Sequence, residues 1–412
     1  KVGHHQRESS LWLKRMAAEP PSAFFAGDFG QKIDLTARIR EILVNYPPGF
    51  TILKEFVQNA DDAGAAKIKF CLDERSFPVK SLAHQKLAEF QGPSLLVHND
   101  GVFSDQDFES IQNIGDSQKK GQLAKTGRFG IGFNSCYHLT DLPTFLSRSS
   151  LVMFDPQAKF LPDVNPANPG KRIDILSPAV QQHYPDQLAP FKAFGVDYRG
   201  EYNATLFRLP LRTRQQAATS KLSQQVHSVE SLLELLHGFV VDAQQSLLFL
   251  KNISSIEALH WREGKEHPET LWSCSLDKGS RQLAQQRSMI PLSVAKTQQA
   301  ASEEQTLQYV QTESDYELHV SVHSGEDKTH VTNKWLVCTS CQGTAGRAGR
   351  MACDPSTFHM KLVPWAGVAA LLQTSGDGHT SVKGRAFCFL PLPAETGLPV
   401  HVNGFFELSS NR

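Results

Sequence analysis

The sequence predicts an α/β protein in which helices pack on a sheet, followed by a second region of α+β structure. Three observations lead to this prediction: helical spacing of apolar residues over 35–63, strand-like alternation over 67–72 and 94–98, and several short strands beyond residue 240. A chain of 412 residues also exceeds the length at which a single core stops growing, so we expect two domains.

Two consecutive helices open the predicted first domain. Asp34 can cap the first helix, whose apolar residues repeat at helical spacing until Pro47 and Pro48. The second helix begins near Ile52 and carries its apolar residues on one face, and Gly64 supplies a stop. Each helix therefore has one side suited to packing on a sheet.

Strands and a short helix follow in order. Residues 67–72 alternate like a half-buried strand, and a second strand over 94–98 ends in a polar Asn-Asp-Gly turn. Ser104 can cap a short helix that reaches about residue 113, after which residues 115–126 are polar and lack a period. Further strands are predicted near 143–154 and over 203–209.

The polar stretch 216–228 is the predicted linker between a first domain over 28–215 and a second domain over 229–412. A leucine-rich helix begins at Val229. The strands predicted beyond it are 247–250, 255–261, 316–322 and 387–390. Residues 1–27 are polar and without a period, so we expect a leader there. The chain starts with Lys, and we expect it to be part of a longer protein, truncated at its C-terminal end.

Three polar residues form a stripe on the second helix. Glu55, Asn59 and Asp62 are spaced i, i+4 and i+7, so they fall within about 60° of one another around the helix axis. Most stripes of this kind are the solvent-facing sides of amphipathic helices, and that is the simpler interpretation of this stripe taken alone.

A glycine-rich segment lies about 70 residues further along the chain. Its glycines allow backbone amides to approach a phosphate, and the helix predicted after it has an N-terminus that favours anions. The same glycines could instead permit tight packing of a strand against a helix. The residues that could present amides to a phosphate are Gly127, Arg128, Phe129, Gly130, Ile131, Gly132 and Phe133. The pairing and order of the two segments indicate an ATP site more strongly than either segment alone.

The two segments resemble the Glu-x-x-x-Asn box and the second glycine box of the GHKL ATPases, which include the ninety-kilodalton heat-shock chaperones, gyrase B, MutL and the histidine kinases. Within the chaperone branch, the chain resembles the sacsin-repeat family over roughly residues 28–412. This resemblance is carried by 29–31, 46–47, 52–55, 58–63, 126–130, 133–135, 137–140, 205–208 and 402–412. It implies a two-layer, Bergerat-type α/β sandwich over 28–215 with a lid at 104–126. It also implies that the chain is the ATPase module of a chaperone.

The resemblance also assigns roles to individual residues. Glu55 would be the general base that activates water, and Asn59 would bind Mg²⁺ through its side-chain oxygen. Asp62 would line the wall of the site, with a structural role near the helix end as an equal alternative. Thr205 would accompany the adenine-binding residue. Arg412 would supply an arginine to the terminal phosphate, although an ordinary surface arginine is the simpler interpretation of it.

The lid segment contributes two further candidates. Lys119 and Lys125 could reach the phosphates, while a solvated loop explains each lysine equally well. The implied cofactors are ATP or ADP and Mg²⁺. The implied partners are client proteins, co-chaperones and other domains of a longer chain.

The first glycine box departs from the family pattern. Where the family has Asp-x-Gly-x-Gly, this chain has Asn99, Asp100, Gly101, Val102 and Phe103. Asn99 therefore stands at the adenine-reading position unless Asp100 takes its place, and an amide lacks the charge assistance of a carboxylate. Phe103 adds bulk where the backbone should approach the ligand. Two functions stay open: a slow Mg²⁺-dependent ATPase, and a chaperone or scaffold module that keeps the fold but binds nucleotide weakly or not at all.

Composition excludes several classes of protein. Forty-two basic and forty-two acidic residues cancel, and no long basic stripe supports a nucleic-acid partner, which argues against the gyrase and MutL branches. Residues 1–27 offer no phosphoacceptor helix for a histidine kinase. No apolar run of 18 residues exists, so we expect no membrane span. Seven cysteines without regular spacing indicate reduced thiols and a reducing, cytoplasmic compartment.

One cysteine cluster permits a metal site as an alternative. Cys338 and Cys341, with Cys353 and His359 further on, are zinc-ligand types, but their spacing fits known zinc motifs poorly. We expect a Gly-rich loop after a strand in this region instead.

Overall fold

The structure is a computed structural model that describes residues 34–113, 132–283, 309, 311–360, 362–375 and 382–406. The described residues from Leu35 onward belong to one compact unit. Its helices are α1 (Leu35–Asn45), α2 (Phe50–Asp62), α3 (Asp105–Ser110), α4 (Pro178–His183), α5 (Pro185–Leu188), α6 (Arg214–Thr219), α7 (Val229–Gly238), α8 (Val240–Ser246) and α9 (Arg347–Cys353). Short 3₁₀ helices cover Gln85–Phe90, Gly132–His138, Ala189–Phe191 and Pro355–Met360.

The strands of the described part are β1 (Lys67–Asp73), β2 (Ser94–Asn99), β3 (Thr144–Arg148), β4 (Ser150–Phe154), β5 (Gly170–Asp174), β6 (Tyr202–Pro210), β7 (Ser255–Trp261), β8 (Glu269–Leu276), β9 (Thr312–Ser324), β10 (His330–Cys341), β11 (Trp365–Thr374), β12 (Arg385–Cys388), β13 (Leu390–Glu395) and β14 (His401–Gly404). They form one mixed sheet in the order β13-β12-β14-β11-β10-β9-β8-β7-β1-β2-β6-β3-β4-β5.

The sheet is continuous across the two halves of the chain. Strand β1 pairs antiparallel with β2 on one side and parallel with β7 on the other, with Lys67 opposite Ser255. Helix α6 overlaps the start of the predicted linker 216–228. The predicted division into domains stays a prediction, but the sheet does not end at the predicted boundary.

Helix α2 forms where the sequence predicts it. Leu53, Phe56 and Ala60 lie on its buried side, as their helical spacing requires. The helix ends in a left-handed turn at Gly64, where φ is +78° and the amide of Ala65 donates to the carbonyl of Ala60 at 3.0 Å. The predicted glycine stop is confirmed, because residues other than glycine are rarely found at this backbone angle.

Both faces of the first half of the sheet are buried. Phe70 of β1 packs on the face covered by α2, while its neighbour Cys71 packs on the opposite face, and alternation of this kind recurs along β2, β3 and β6. The 3₁₀ helix Gln85–Phe90 and helix α5 contribute to the second core. The α/β class is therefore confirmed, and the two-layer, Bergerat-type sandwich stays a prediction.

Most predicted elements are confirmed and a few are corrected. Ser104 and Asp107 form the predicted capping box of α3. The predicted strand 247–250 is wrong, because those residues follow α8 as a buried turn. A short apolar run has the same pattern in a strand and in a buried helical turn, so periodicity could not separate the two. The predicted strand 387–390 is interrupted at Phe389, whose φ of +62° separates β12 from β13.

The cysteine-rich region also differs from the expectation. Cys338 and Cys341 lie within β10, and helix α9 follows where a Gly-rich loop was predicted. All seven cysteines of the chain are free thiols, as predicted. Within the described ranges, no group of three or more His, Cys, Asp or Glu side chains is placed to hold a metal ion. Among the helices that the structure describes, none combines the length and apolarity that a bilayer crossing requires.

Two shielded histidines predict how stability depends on pH. Burial lowers the pKa of both His98 and His401 to about 4. His98 stacks on Phe194, and His401 stacks on Trp335. In the unfolded chain these histidines bind protons near pH 6.5, whereas in the folded chain they do so only near pH 4. The free energy of unfolding should therefore fall as the pH drops from about 6.5 to about 4. We expect a loss of about 2 kcal/mol for each histidine by pH 4.5.

Urea unfolding at pH 7.5 and pH 4.5 checks this prediction. The variant His98→Phe should show a smaller loss than the unchanged chain, because it removes one of the two groups. His267 is largely exposed, and His267→Ala should leave the pH dependence unaltered. Stability that stays constant across this range would contradict the expected neutral state of the buried rings.

Candidate functional site

The helix that carries Glu55 meets the end of the glycine-rich segment. The Glu55 side chain is 5% exposed, and its carboxylate lies so close to the Cα of Gly132 that a Cβ at position 132 would overlap it. Glycine is therefore required at position 132 for this approach. The structure thus brings residues 132–133, the described end of the glycine-rich segment, against the helix that carries Glu55.

Aromatic packing holds the two segments against each other and against the sheet. The ring of Phe133 packs against Phe56 of α2, with centroids 6.4 Å apart, and against Phe154 and Phe207 at 5.6 and 5.9 Å. Contacts of this kind contribute about 0.5–1.5 kcal/mol each beyond burial alone. The predicted phosphate-binding role of the Phe133 amide is thus accompanied by a packing role for its side chain.

The end of β2 brings three of the predicted residues together. Asn99 is paired with Thr205 of β6 in the sheet, and both side chains are buried. The Asn99 Oδ1 accepts a hydrogen bond from the amide of Gly101 at 3.0 Å, and the Thr205 hydroxyl donates to the Gly101 carbonyl at 2.8 Å. The turn that starts the first glycine box is therefore fixed from both sides.

Ser147 of β3 belongs to the same arrangement, and sequence reasoning missed it. Its hydroxyl donates to the Ala204 carbonyl at 2.8 Å and lies 3.1 Å from the Thr205 hydroxyl. It also accepts from the amide of Phe103 at 3.2 Å. A serine in the middle of a predicted strand has no periodic pattern that marks it, so only the strand pairing reveals this contact.

Asp100 points to a different part of the molecule. Its Oδ1 accepts hydrogen bonds from the amides of Ala66 at 2.8 Å and Lys67 at 2.9 Å. The carboxylate therefore holds the start of β1, beyond the turn that ends α2. Asn99 is left as the side chain of this pair that faces Gly101 at the end of β2.

Phe103 directs its ring into an aromatic cluster. Its centroid lies 5.2 Å from that of Phe108, 4.8 Å from that of Phe145 and 6.3 Å from that of Phe207. The bulk that replaces the family's last glycine is thus taken up by the core between α3 and the sheet. The sequence predicted bulk at this position but could not predict its direction.

The other two residues of the polar stripe differ in their surroundings. Asn59 lies one turn after Glu55 and is half-buried. Asp62 Oδ1 lies 3.2 Å from Lys251 Nζ, and the carboxyl side chain is 1% exposed. This ion pair joins the end of α2 to the second half of the chain, and the predicted place of Asp62 in the wall of the site stays a prediction.

Asp61 makes a buried contact that sequence reasoning missed. Its Oδ1 accepts from the amides of Asn252 at 2.7 Å and Ile253 at 3.0 Å, and its Oδ2 accepts from the amide of Lys251 at 3.2 Å. A carboxylate that caps three consecutive amides fixes the chain before β7. In the sequence, Asp61 lies off the polar stripe, and no role was predicted for its side chain.

Several predicted site residues lie outside the described ranges. These are Lys119, Lys125, Gly127, Arg128, Phe129, Gly130, Ile131 and Arg412. Of the predicted lid over 104–126, the structure describes residues 104–113, which contain α3. The assignments to these residues stay predictions.

Comparison with known proteins gives three results. The model of the family described as the Sacsin domain matches residues 32–273. Human Sacsin is 37% identical over 408 residues, an alignment that covers 94% of this chain and only 8% of the human protein. A solved structure, the N-terminal domain of a DNA repair protein, aligns over 72% of this chain and 70% of its own, with 10% identity and a TM-score of 0.32. That TM-score supports no argument about function or fold. The extent of the family match and the identity to human Sacsin show that the chain belongs to the Sacsin domain family.

Proposed function

We propose that this chain is a nucleotide-binding module of the GHKL type that binds ATP with Mg²⁺ and hydrolyses it slowly. The observation that carries the proposal is the contact between the Glu55 carboxylate and Gly132. It places a candidate general base against the backbone of the glycine box, where a phosphate would be held. Asn99 and Thr205, which are paired where β2 ends, would supply the polar groups that contact the adenine ring of the nucleotide.

The donor types at the site fit a magnesium ion. Asn59 offers an amide oxygen one turn from Glu55, and oxygen donors suit a hard cation that keeps most of its water. Bound Mg²⁺ would neutralise charge on the phosphates. Glu55 would accept the proton of the attacking water, and its burial keeps that carboxylate in a fixed position. The amides near Gly132 would orient the phosphates.

The wider role that we propose is that of a chaperone module. Its support is membership of the Sacsin domain family together with the resemblance of the two boxes to the chaperone branch. Nucleotide binding would order the lid over 104–126 and change how client proteins are held, and hydrolysis would reset that state. The partners that we propose are client proteins, co-chaperones and neighbouring domains of a longer chain.

A second candidate function is a scaffold that retains the fold without productive nucleotide binding. Two observations favour it. Asn99 stands where the family has an aspartate, and Asp100 is engaged with the amides of Ala66 and Lys67. The adenine amino group would then have no carboxylate at position 99 to accept its hydrogen bond, and the Asp100 carboxylate is held elsewhere.

Calorimetric titration of the chain with ATP and ADP, with and without Mg²⁺, separates the two functions. The ATPase proposal expects saturable binding that is stronger with Mg²⁺. Heat changes no larger than those of dilution, with Mg²⁺ present, would support the scaffold instead.

Asn59→Ala should weaken the Mg²⁺-dependent part of this binding by about tenfold or more, because it removes the side-chain oxygen that would bind the metal ion. Its matched control is Asn45→Ala, which removes an asparagine at the end of α1 whose side chain donates to the Glu41 carbonyl, and which should leave affinity unchanged. Equal Mg²⁺ dependence in the wild-type chain and Asn59→Ala would remove Asn59 from the metal site.

A further inference from the structure

The helix that carries Glu55 is tied near its N-terminal end to the second half of the chain. Lys54 precedes Glu55 in α2, and its Nζ lies 2.7 Å from Asp242 Oδ2 of α8. The same ammonium group donates to the carbonyl of Pro391 in β13 at 2.9 Å. One lysine therefore joins α2 to two elements that lie about 190 and 340 residues further along the chain.

Asp242 connects this lysine to a second cation. Its Oδ1 accepts from Arg385 Nη1 of β12 at 2.6 Å, and the same nitrogen donates to Gln245 Oε1 at 3.0 Å. Arg385 Nη2 also donates to the carbonyl of Leu392 at 3.2 Å. We call Lys54, Asp242 and Arg385 the Lys54 bridge.

The Lys54 bridge is shielded from water. The side chains of Lys54, Asp242 and Arg385 are 20%, 9% and 21% exposed. Burial lowers the pKa of Lys54, and the neighbouring Asp242 carboxylate opposes that shift. An ion pair in such surroundings is screened less than a surface pair, so separating its partners costs more free energy. Movement of β12 and β13 is therefore resisted unless α2 moves with them.

Glu55 has little freedom to absorb a movement of α2. Its carboxylate touches the Cα of Gly132, and the 3₁₀ helix that begins there is held to α2 by the ring of Phe133. Displacement of a reacting group by about 1 Å can reduce a rate by about 10²-fold. The proposed base thus lies next in sequence to the lysine that joins α2 to the second half of the chain.

We propose that the second half of the chain sets the position of Glu55 through the Lys54 bridge, so that Lys54 and Asp242 are positioning residues for ATP hydrolysis. This inference rests on the proposed ATPase function. It predicts that loosening the bridge slows turnover without weakening nucleotide binding, because neither Lys54 nor Asp242 is among the residues proposed to hold the nucleotide.

The variant Lys54→Met tests the proposal. It removes the charge but keeps the length of the side chain, and Asp242 remains paired with Arg385. Its matched control is Lys69→Met: Lys69 Nζ lies 2.9 Å from Glu257 Oε2 and joins β1 to β7, away from α2. Steady-state kinetics should show kcat about tenfold lower for Lys54→Met, with KM and ATP affinity within about twofold. Lys54→Arg should recover much of the loss, and Lys69→Met should behave as wild type.

Unchanged kcat in Lys54→Met, or a fall in affinity that matches the fall in kcat, would overturn the proposal. Hydrogen–deuterium exchange of residues 50–62 supplies a readout that needs no nucleotide. If the wild-type chain binds no ATP, the proposed function fails. The hydrogen–deuterium exchange rates of residues 50–62 then test by themselves whether the Lys54 bridge holds α2. Faster exchange in Lys54→Met than in Lys69→Met would support the tie between α2 and the second half, and equal exchange would reject it.

Discussion

Replacing Glu55 with glutamine should abolish most ATP turnover while leaving nucleotide binding within a few-fold of wild type. Glutamine keeps the volume of the buried side chain but cannot accept the proton of the attacking water. General-base catalysis contributes about 10²–10⁴-fold, so we expect a loss in kcat of that order. Phosphate release measured alongside calorimetric binding of ATP separates the loss of turnover from any loss of affinity.

Two further variants sharpen this test. Glu41→Gln changes an exposed glutamate that pairs with Arg38 on α1, and it should leave turnover unchanged. Gly132→Ala keeps the Glu55 carboxylate but places a methyl group where that carboxylate lies, so turnover should also fall. Equal rates in wild type and Glu55→Gln would remove Glu55 from the mechanism.

Replacing Asp61 with alanine should destabilise the fold strongly. The change removes the acceptor of three amides, and the Asp61 carboxyl is 1% exposed, so those donors would lose their partner in a shielded place. A buried polar group left unsatisfied costs about 1–3 kcal/mol, and we expect a total loss of about 3–5 kcal/mol. Urea unfolding followed by circular dichroism measures the change in the free energy of unfolding.

Asp105→Ala is the control for this prediction. The Asp105 carboxylate likewise accepts a hydrogen bond, from Arg148 Nη1 at 2.7 Å, but its side chain is 88% exposed. Exposed ion pairs contribute about 0–1 kcal/mol, so this variant should remain close to wild type. A similar loss in the two variants would show that the capping of residues 251–253 contributes little.

The local features of the site were predictable from the sequence. The spacing of Glu55 and Asn59 placed both on one helix, and the glycine stop at Gly64 ended that helix where predicted. The capping box at Ser104 identified the start of α3. These features depend on residues within one or two turns of each other, which is the range over which helical periodicity and capping act.

Contacts between distant segments were not predictable in the same way. Asp61 with residues 251–253, Lys54 with Asp242 and Ser147 with Ala204 each join residues that are more than fifty positions apart. No periodic pattern links such positions, and a single sequence does not show which strands become neighbours. The misassigned strand 247–250 has a related cause, because burial of an apolar turn depends on what packs over it.

The parallel pairing of β1 with β7 determines how long an expressed fragment must be in order to keep β1 fully paired. A fragment that ends before residue 255 would leave β1 as an edge strand whose backbone groups on one side lack partners. Such an edge can pair with strands of other chains and cause aggregation. The family match extends to residue 273, inside β8, and so includes β7, the strand that pairs with this edge of β1. Gene fusions and truncations intended to isolate the proposed nucleotide site should therefore retain β7 and β8.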